Sequence, residues 1–218
     1  MLKLLPKLTL LSLLILASTL CRGEDLYEST AARYHLSARL LRSIAEVESQ
    51  RYPWAVNINQ ESFHPASPKQ AVRLIHRVQK KPWLLRLDYA EGPHRMFFSS
   101  GRDARLALVS VQKEARKLGI EHPTQWEIRK LDARSVDIGL MQINWKFHGR
   151  HFDSMLQLFD PATNVDYAAR YLKSLLQEYG NLEKAVAFYH SNTQEYQDRY
   201  LEYFRNVYDK QLSLPHRS

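Results

Sequence analysis

The sequence predicts an α+β protein, mainly α, on three observations. Apolar residues recur at helical spacing in two blocks, one around residues 38–49 and one around 165–176. Between them, over about 52–131, short stretches alternate apolar and polar residues with a period of two, the pattern of a small antiparallel sheet. No Pro/Gly/Ser-rich linker isolates any part, so a single domain over 24–218 is expected, with 52–131 as an insertion.

The chain has 218 residues, 44% hydrophobic and 25% charged, a composition that can bury a core and excludes a disordered chain. Its formal net charge of +8 favours an anionic partner without choosing among nucleic acid, acidic lipid and cell-wall polymer. The first residues narrow that choice. Lys3 and Lys7 precede an apolar run over 8–20 that is short for a bilayer span, and small residues follow. This reads as a signal peptide over 1–23, cleaved after Gly23, for export to the bacterial periplasm or cell envelope. An uncleaved anchor is the alternative. Cleavage removes Cys21, the only cysteine, so the exported chain would fold on its core without a disulfide.

In chain order, residues 24–33 suit an amphipathic helix. Ser37 is a good N-cap for the next one, from Ala38 to Ser49. At roughly 100° per residue, Leu40, Leu41, Ile44, Ala45 and Val47 share one arc. Glu48 falls in that arc, while Glu46 falls on the opposite side. A carboxyl so placed tends to have a raised pKa, which a general acid near neutral pH requires. The plainer reading is a buried carboxylate paired with Arg42 or Arg51.

Trp54, Val56 and Ile58 then alternate with Ala55, Asn57 and Asn59, predicting a strand. Ser67-Pro68 opens a helix whose apolar face is Ala71, Leu74, Ile75 and Val78. Residues 85–89 and 95–99 read as strands about a turn at Glu91-Gly92-Pro93, and Trp126 to Leu131 as a further extended piece. Ser100-Gly101 starts a helix that Gly119 stops. Asp160-Pro161 begins a long helix that ends at Gly180-Asn181; a short helix over 182–189 and a tyrosine-rich one over 196–210 follow.

The densest stretch is Asp137-Ile138-Gly139-Leu140-Met141-Gln142-Ile143-Asn144. Amides interleave with apolar residues as a cleft wall needs: Gln142 and Asn144 to bind a ligand, Leu140, Met141 and Ile143 to hold the wall still. A buried turn whose polar groups satisfy backbone is the alternative.

Three motifs follow one another in order: Glu48-Ser49 at a helix end, Gly-Leu-Met-Gln-Ile-Asn at 139–144, and Ala-Val-Ala-Phe-Tyr-His at 185–190. Together they resemble the lysozyme-like lytic transglycosylases, over roughly residues 36–191. Within that family the chain looks most like the accessory wall-cutting enzymes of secretion, conjugation and pilus machines. The resemblance implies a lysozyme-like fold with an inserted antiparallel sheet and extra helices. It implies Glu48 as catalytic acid and base, with Tyr189 beside it. Ser49, Gly139, Leu140, Met141, Gln142 and Asn144 would line the sugar-binding site, with His190 standing where the family usually has Asn. The substrate would be the peptidoglycan glycan strand, cut with 1,6-anhydro-muramoyl ends, and no metal or cofactor would be needed. An envelope-spanning complex is the implied protein partner.

Asp137 departs from many soluble members. An Asp two residues before that glycine is also the second catalytic carboxylate of animal-type lysozymes. A hydrolytic muramidase using Glu48 and Asp137 is therefore the rival, and a non-catalytic peptidoglycan-binding protein is another. Asp137 as a turn carboxylate is the plain alternative. The basic cluster Arg73, Arg77, Lys80 and Lys81 reads as a solvated helix face, so no nucleic acid is expected. His148 and His151 lack a supporting acid and read as ordinary histidines.

Overall fold

The structure is a computed structural model that describes residues 22–119 and 123–211; side chains are described from residue 26 onward. The signal-peptide reading over 1–23 falls almost wholly outside the described residues. The chain forms two compact units. The first takes the chain up to Arg51 and from Pro161 onward; the second is Tyr52–Asp160, which contains the insertion expected over 52–131. The fold class is as the sequence predicts, α+β and mainly α.

The first unit is all helix: α1 (Arg22–Tyr34), α2 (Ala38–Ser49), and, from the C-terminal part of the chain, α6 (Pro161–Tyr179), α7 (Leu182–His190) and α8 (Gln194–Lys210). The Ser37 hydroxyl accepts from the Leu40 amide at 3.1 Å and starts α2. Asn181 does the same for α7, accepting from Lys184 at 2.9 Å. Leu40, Leu41, Ile44 and Ala45 of α2 are buried, as are Val165, Ala168, Ala169 and Leu172 of α6, Ala185 to Ala187 of α7, and Tyr200 and Phe204 of α8. Each face follows from 3.6-residue spacing, which brings i, i+3 and i+4 to one side. Ties between the two sequence segments reinforce the core. Asp166 of α6 accepts from the Tyr34 hydroxyl at 2.8 Å and pairs with Arg33. The Arg39 guanidinium lies 3.6 Å from the ring centre of Tyr208.

The second unit holds the strands, in two antiparallel sheets rather than the single one expected. The first sheet has the order β2-β1-β6-β7, with β1 (Val56–Ile58), β2 (Glu61–Phe63), β6 (Val136–Ile138) and β7 (Ile143–Asn144). The second has the order β4-β3-β5, with β3 (Trp83–Tyr89), β4 (Gly92–Phe98) and β5 (Gln125–Lys130). Among the described residues, two full helices, α3 (Pro68–Lys80) and α4 (Gly101–Leu118), one short one, α5 (Trp145–His148), and two 3-10 turns, Gly149–His151 and Met155–Phe159, complete it. Ser67 and Ser100 cap α3 and α4 as their sequences suggest. Ala104 and Leu108 of α4 pack on Leu85 and Leu87 of β3.

The two sheets are fastened by one carboxylate. Glu61 of β2 is 1% exposed and meets Arg95 of β4 at 2.5 Å and Arg129 of β5 at 2.8 Å, with Arg86 of β3 at 3.8 Å. Arg86 and Arg95 are register partners, so three adjacent strands present a cation to one buried acid. A buried carboxylate is tolerated only when paired in this way.

Candidate active site

Glu48 sits at the end of α2, beside the left-handed Gln50 (φ 53°) that stops the helix. Its side chain is 12% exposed. Neither arginine suggested as its partner takes that role: Arg42 pairs with Glu28 at 2.7 Å and Arg51 with Glu46 at 2.7 Å. The groups at Glu48 come instead from α7 and α8. His190 Nδ1 lies 3.6 Å from Glu48 Oε1. The His190 ring lies flat on Tyr200, with centroids 4.1 Å apart and planes 8° apart. The buried Tyr200 hydroxyl is close enough to feel the Glu48 charge, yet it makes no hydrogen bond of regular geometry among the described residues. Burial first, and then the Glu48 carboxylate, push the Tyr200 phenol well above 10. Tyr189 precedes His190 on α7, feels the same neighbourhood through Tyr200, and packs its ring 5.8 Å from that of Tyr171.

Ser49 is corrected by the structure. It is 5% exposed and its hydroxyl donates to the Ala45 carbonyl at 3.0 Å. Burial takes it out of reach of a sugar, and it serves the helix end instead.

In the second unit the 139–144 motif is a tight hairpin from β6 into β7. Gly139 has φ 81° and its amide donates to the Ala55 carbonyl at 2.9 Å. Leu140, Met141 and Ile143 are buried and fix the turn from below. Gln142 is also left-handed, φ 47°, which only its place in the turn imposes. Its Nε2 donates to the Gly139 carbonyl at 2.9 Å and its Oε1 meets no protein donor among the described residues. Asn144 is engaged at both ends of its amide. Nδ2 donates to Asp137 Oδ1 at 2.7 Å, and Oδ1 accepts from the Lys146 amide at 3.0 Å, capping α5. Of the two amides expected to meet a ligand, Gln142 keeps a free acceptor and Asn144 is spent on its own hairpin. Leu140 and Met141, named as sugar-lining by resemblance, are too buried for that and act as supports.

Tyr200 is the site residue that sequence reading missed. It stands in a tyrosine-rich helix whose periodicity marks core, and nothing local distinguishes the tyrosine facing Glu48 from its neighbours. The first unit thus brings together Glu48, Tyr189, His190 and Tyr200, and the second brings together Asp137, Asn144 and Gln142. A partly buried carboxyl with an imidazole and a phenol close by can exchange a proton with a bound group.

No curated protein and no solved structure gives a significant match to the chain. Residues 117–211 match the family model for the transglycosylase SLT domain, a span that takes in Asp137, the 139–144 hairpin and His190 but not Glu48, and that supports a lysozyme-like domain of the lytic transglycosylase kind.

Proposed function

We propose that this protein is an exported lytic transglycosylase that cleaves the β-1,4 bond between N-acetylmuramoyl and N-acetylglucosaminyl residues of peptidoglycan, with Glu48 as its acid and base. One observation carries the reading: in a chain that matches the transglycosylase SLT domain, the Glu48 carboxyl is 12% exposed and has no arginine partner. A partly buried carboxyl at a helix end is placed to exchange a proton with a bound group.

In this mechanism protonated Glu48 gives its proton to the glycosidic oxygen, and the bond breaks through an oxocarbenium-like transition state. The Glu48 carboxylate left behind then takes the proton of the muramoyl C6 hydroxyl, whose oxygen attacks the anomeric carbon and closes a 1,6-anhydro ring. Tyr189 helps position the acid, and Gln142 offers its free Oε1 to a sugar hydroxyl or N-acetyl N–H. The chain's positive charge suits a polymer bearing lactyl and peptide carboxylates. The basic, apolar and small-residue order of residues 1–23 supports export to the periplasm, where that polymer lies. Service to an envelope-spanning secretion, conjugation or pilus complex rests on the likeness to accessory enzymes.

The test is mass spectrometry of the products from purified protein and peptidoglycan, with Glu48→Gln alongside. Anhydro-ended products from the wild type alone are expected. Reducing-end products would make the enzyme a muramidase, and equal rates for the two proteins would sink the assignment of Glu48.

A further inference from the structure

The second unit carries a hollow that the proposed reaction does not use. It lies between the C-terminal half of α4 and the start of β5, and its volume is about 430 Å³. Gln112, Arg116, Pro123, Thr124, Gln125 and Trp126 line it. Both walls are held in place. Val111, next to Gln112, and Ile128 of β5 pack against the core around Leu85 and Leu87, and Ala115 is buried. Trp126 is the register partner of Leu87, so its side chain lies on the same face of the sheet as that core. Yet Trp126 is 53% exposed.

A single exposed apolar ring is ordinary on a protein surface. This one has company. The Gln112 amide and the Arg116 guanidinium meet no hydrogen-bond or ion-pair partner among the described residues. Thr124 is already spent, its hydroxyl donating to the Asp88 carbonyl at 3.1 Å. No acid is among the residues that line the hollow, and Lys113 and Lys117 stand near Arg116 on α4. The hollow thus combines a flat apolar ring, a free amide and a free cation, on walls that the core keeps still.

Each member of that set selects part of a ligand. An indole is a broad, rigid plate that can cover the C–H face of a sugar ring while its N–H stays available to a polar group. An amide both donates to and accepts from N-acetyl and hydroxyl groups. A guanidinium grips a carboxylate with two parallel hydrogen bonds. An apolar protein face would cover Trp126 but would strip water from Gln112 and Arg116 without replacing it. We propose that this hollow is a second glycan-binding site, for an N-acetylated amino-sugar strand bearing carboxylates, formed without Glu48 or the 139–144 hairpin. The choice of peptidoglycan as that strand rests on the transglycosylase reading above. The site holds the enzyme on its polymer between cuts and takes no part in the bond breaking.

The experiment measures binding and cleavage separately. Soluble peptidoglycan strands are titrated into the Glu48→Gln protein, alone and with Trp126→Ala or Arg116→Ala added, and thermal unfolding confirms that each variant folds. Either added change should weaken binding about tenfold. The loss from Arg116→Ala should shrink as salt rises, because a partly exposed ion pair is screened. Neutral oligomers of N-acetylglucosamine should depend on Trp126 and not on Arg116. With Glu48 in place, Trp126→Ala should keep the wild-type rate of anhydro-product formation on short glycan fragments and slow it on intact sacculi. Strand binding that is indifferent to Trp126→Ala would overturn the site and leave the transglycosylase reading standing. Indifferent strand binding together with lost binding of an envelope protein would make the hollow a protein-docking face instead. A wild type that binds strands through Trp126 but forms no anhydro ends would overturn the transglycosylase reading and keep the site.

Discussion

The Asp137 carboxylate accepts a 2.7 Å hydrogen bond from the Asn144 side chain, and the two residues face each other as register partners on β6 and β7. An anion already bound to a fixed donor is a poorer nucleophile than a free one. The pair instead locks the hairpin that carries Gly139 and Gln142. Asp137→Asn should then keep anhydro-product formation within about tenfold of wild type and cost about 1 kcal/mol of stability, from a weakened hydrogen bond. Product analysis and a denaturant titration read the two effects. A loss of several orders of magnitude in rate would return Asp137 to the chemistry.

Gln142 offers a way to separate a turn from a ligand contact. Its φ of 47° is a conformation glycine adopts without steric cost. Gln142→Gly should therefore fold normally while removing the free Oε1. If that oxygen meets the glycan, the variant will show a raised KM on peptidoglycan at nearly unchanged Tm. Wild-type kinetics would assign Gln142 to the hairpin alone.

Tyr200 makes a pH-dependent contribution whose sign can be worked out. Its folded-state value is raised above the unfolded value of about 10, so the neutral phenol is the favoured form in the fold. The contribution is full below about pH 10 and is lost as pH rises from there through the higher folded value. Tyr200→Phe should remove that alkaline loss. At pH 7 it should leave stability equal or higher by up to about 1 kcal/mol, because the buried hydroxyl makes no regular hydrogen bond. Urea titrations between pH 7 and 11 would show both effects; a strongly destabilised Tyr200→Phe at pH 7 would contradict them.

The buried Glu61 is the most exacting position in the second unit. Glu61→Gln removes the countercharge of Arg95 and Arg129 and leaves both guanidinium groups, about three-quarters buried, without an acid at hydrogen-bond distance from β2. The expected cost is about 3 kcal/mol, the lower end for breaking a buried pair because the arginines keep some solvent. The midpoint of chemical unfolding reports it.

The helices were legible because each carries its own signal. Ser37, Ser67 and Ser100 all cap as their positions suggest, and the apolar faces of α2 and α6 are written in the spacing. The strands of the second sheet were legible for the same reason, being long enough to show alternation. Of the first sheet only β1 was, through the alternation over 54–59. Its other strands are two or three residues long, too short to display a period. Its β1–β2 turn also uses Asn59 and Gln60, both at positive φ, where a hairpin signal would be Asn-Gly. In the candidate site, Glu48 was legible from the helical wheel, and the burial of Leu140, Met141 and Ile143 from their interleaving. The neighbours of Glu48 were not, since His190 and Tyr200 reach it from helices more than a hundred residues later in the chain. The commitment of Asn144 to Asp137 was equally hidden, because an amide's own partner is a matter of register.

The first unit draws on two separated stretches of the chain, one up to Arg51 and one from Pro161, with Tyr52–Asp160 between them. A ribosome delivers the Glu48 helix well before the helices bearing His190 and Tyr200. Until those helices have been made, Glu48 has neither its imidazole nor the aromatic ring beneath that imidazole. The surroundings of Glu48 are therefore assembled after the second unit has been synthesised, and they depend on the folding of residues 140 or more positions away.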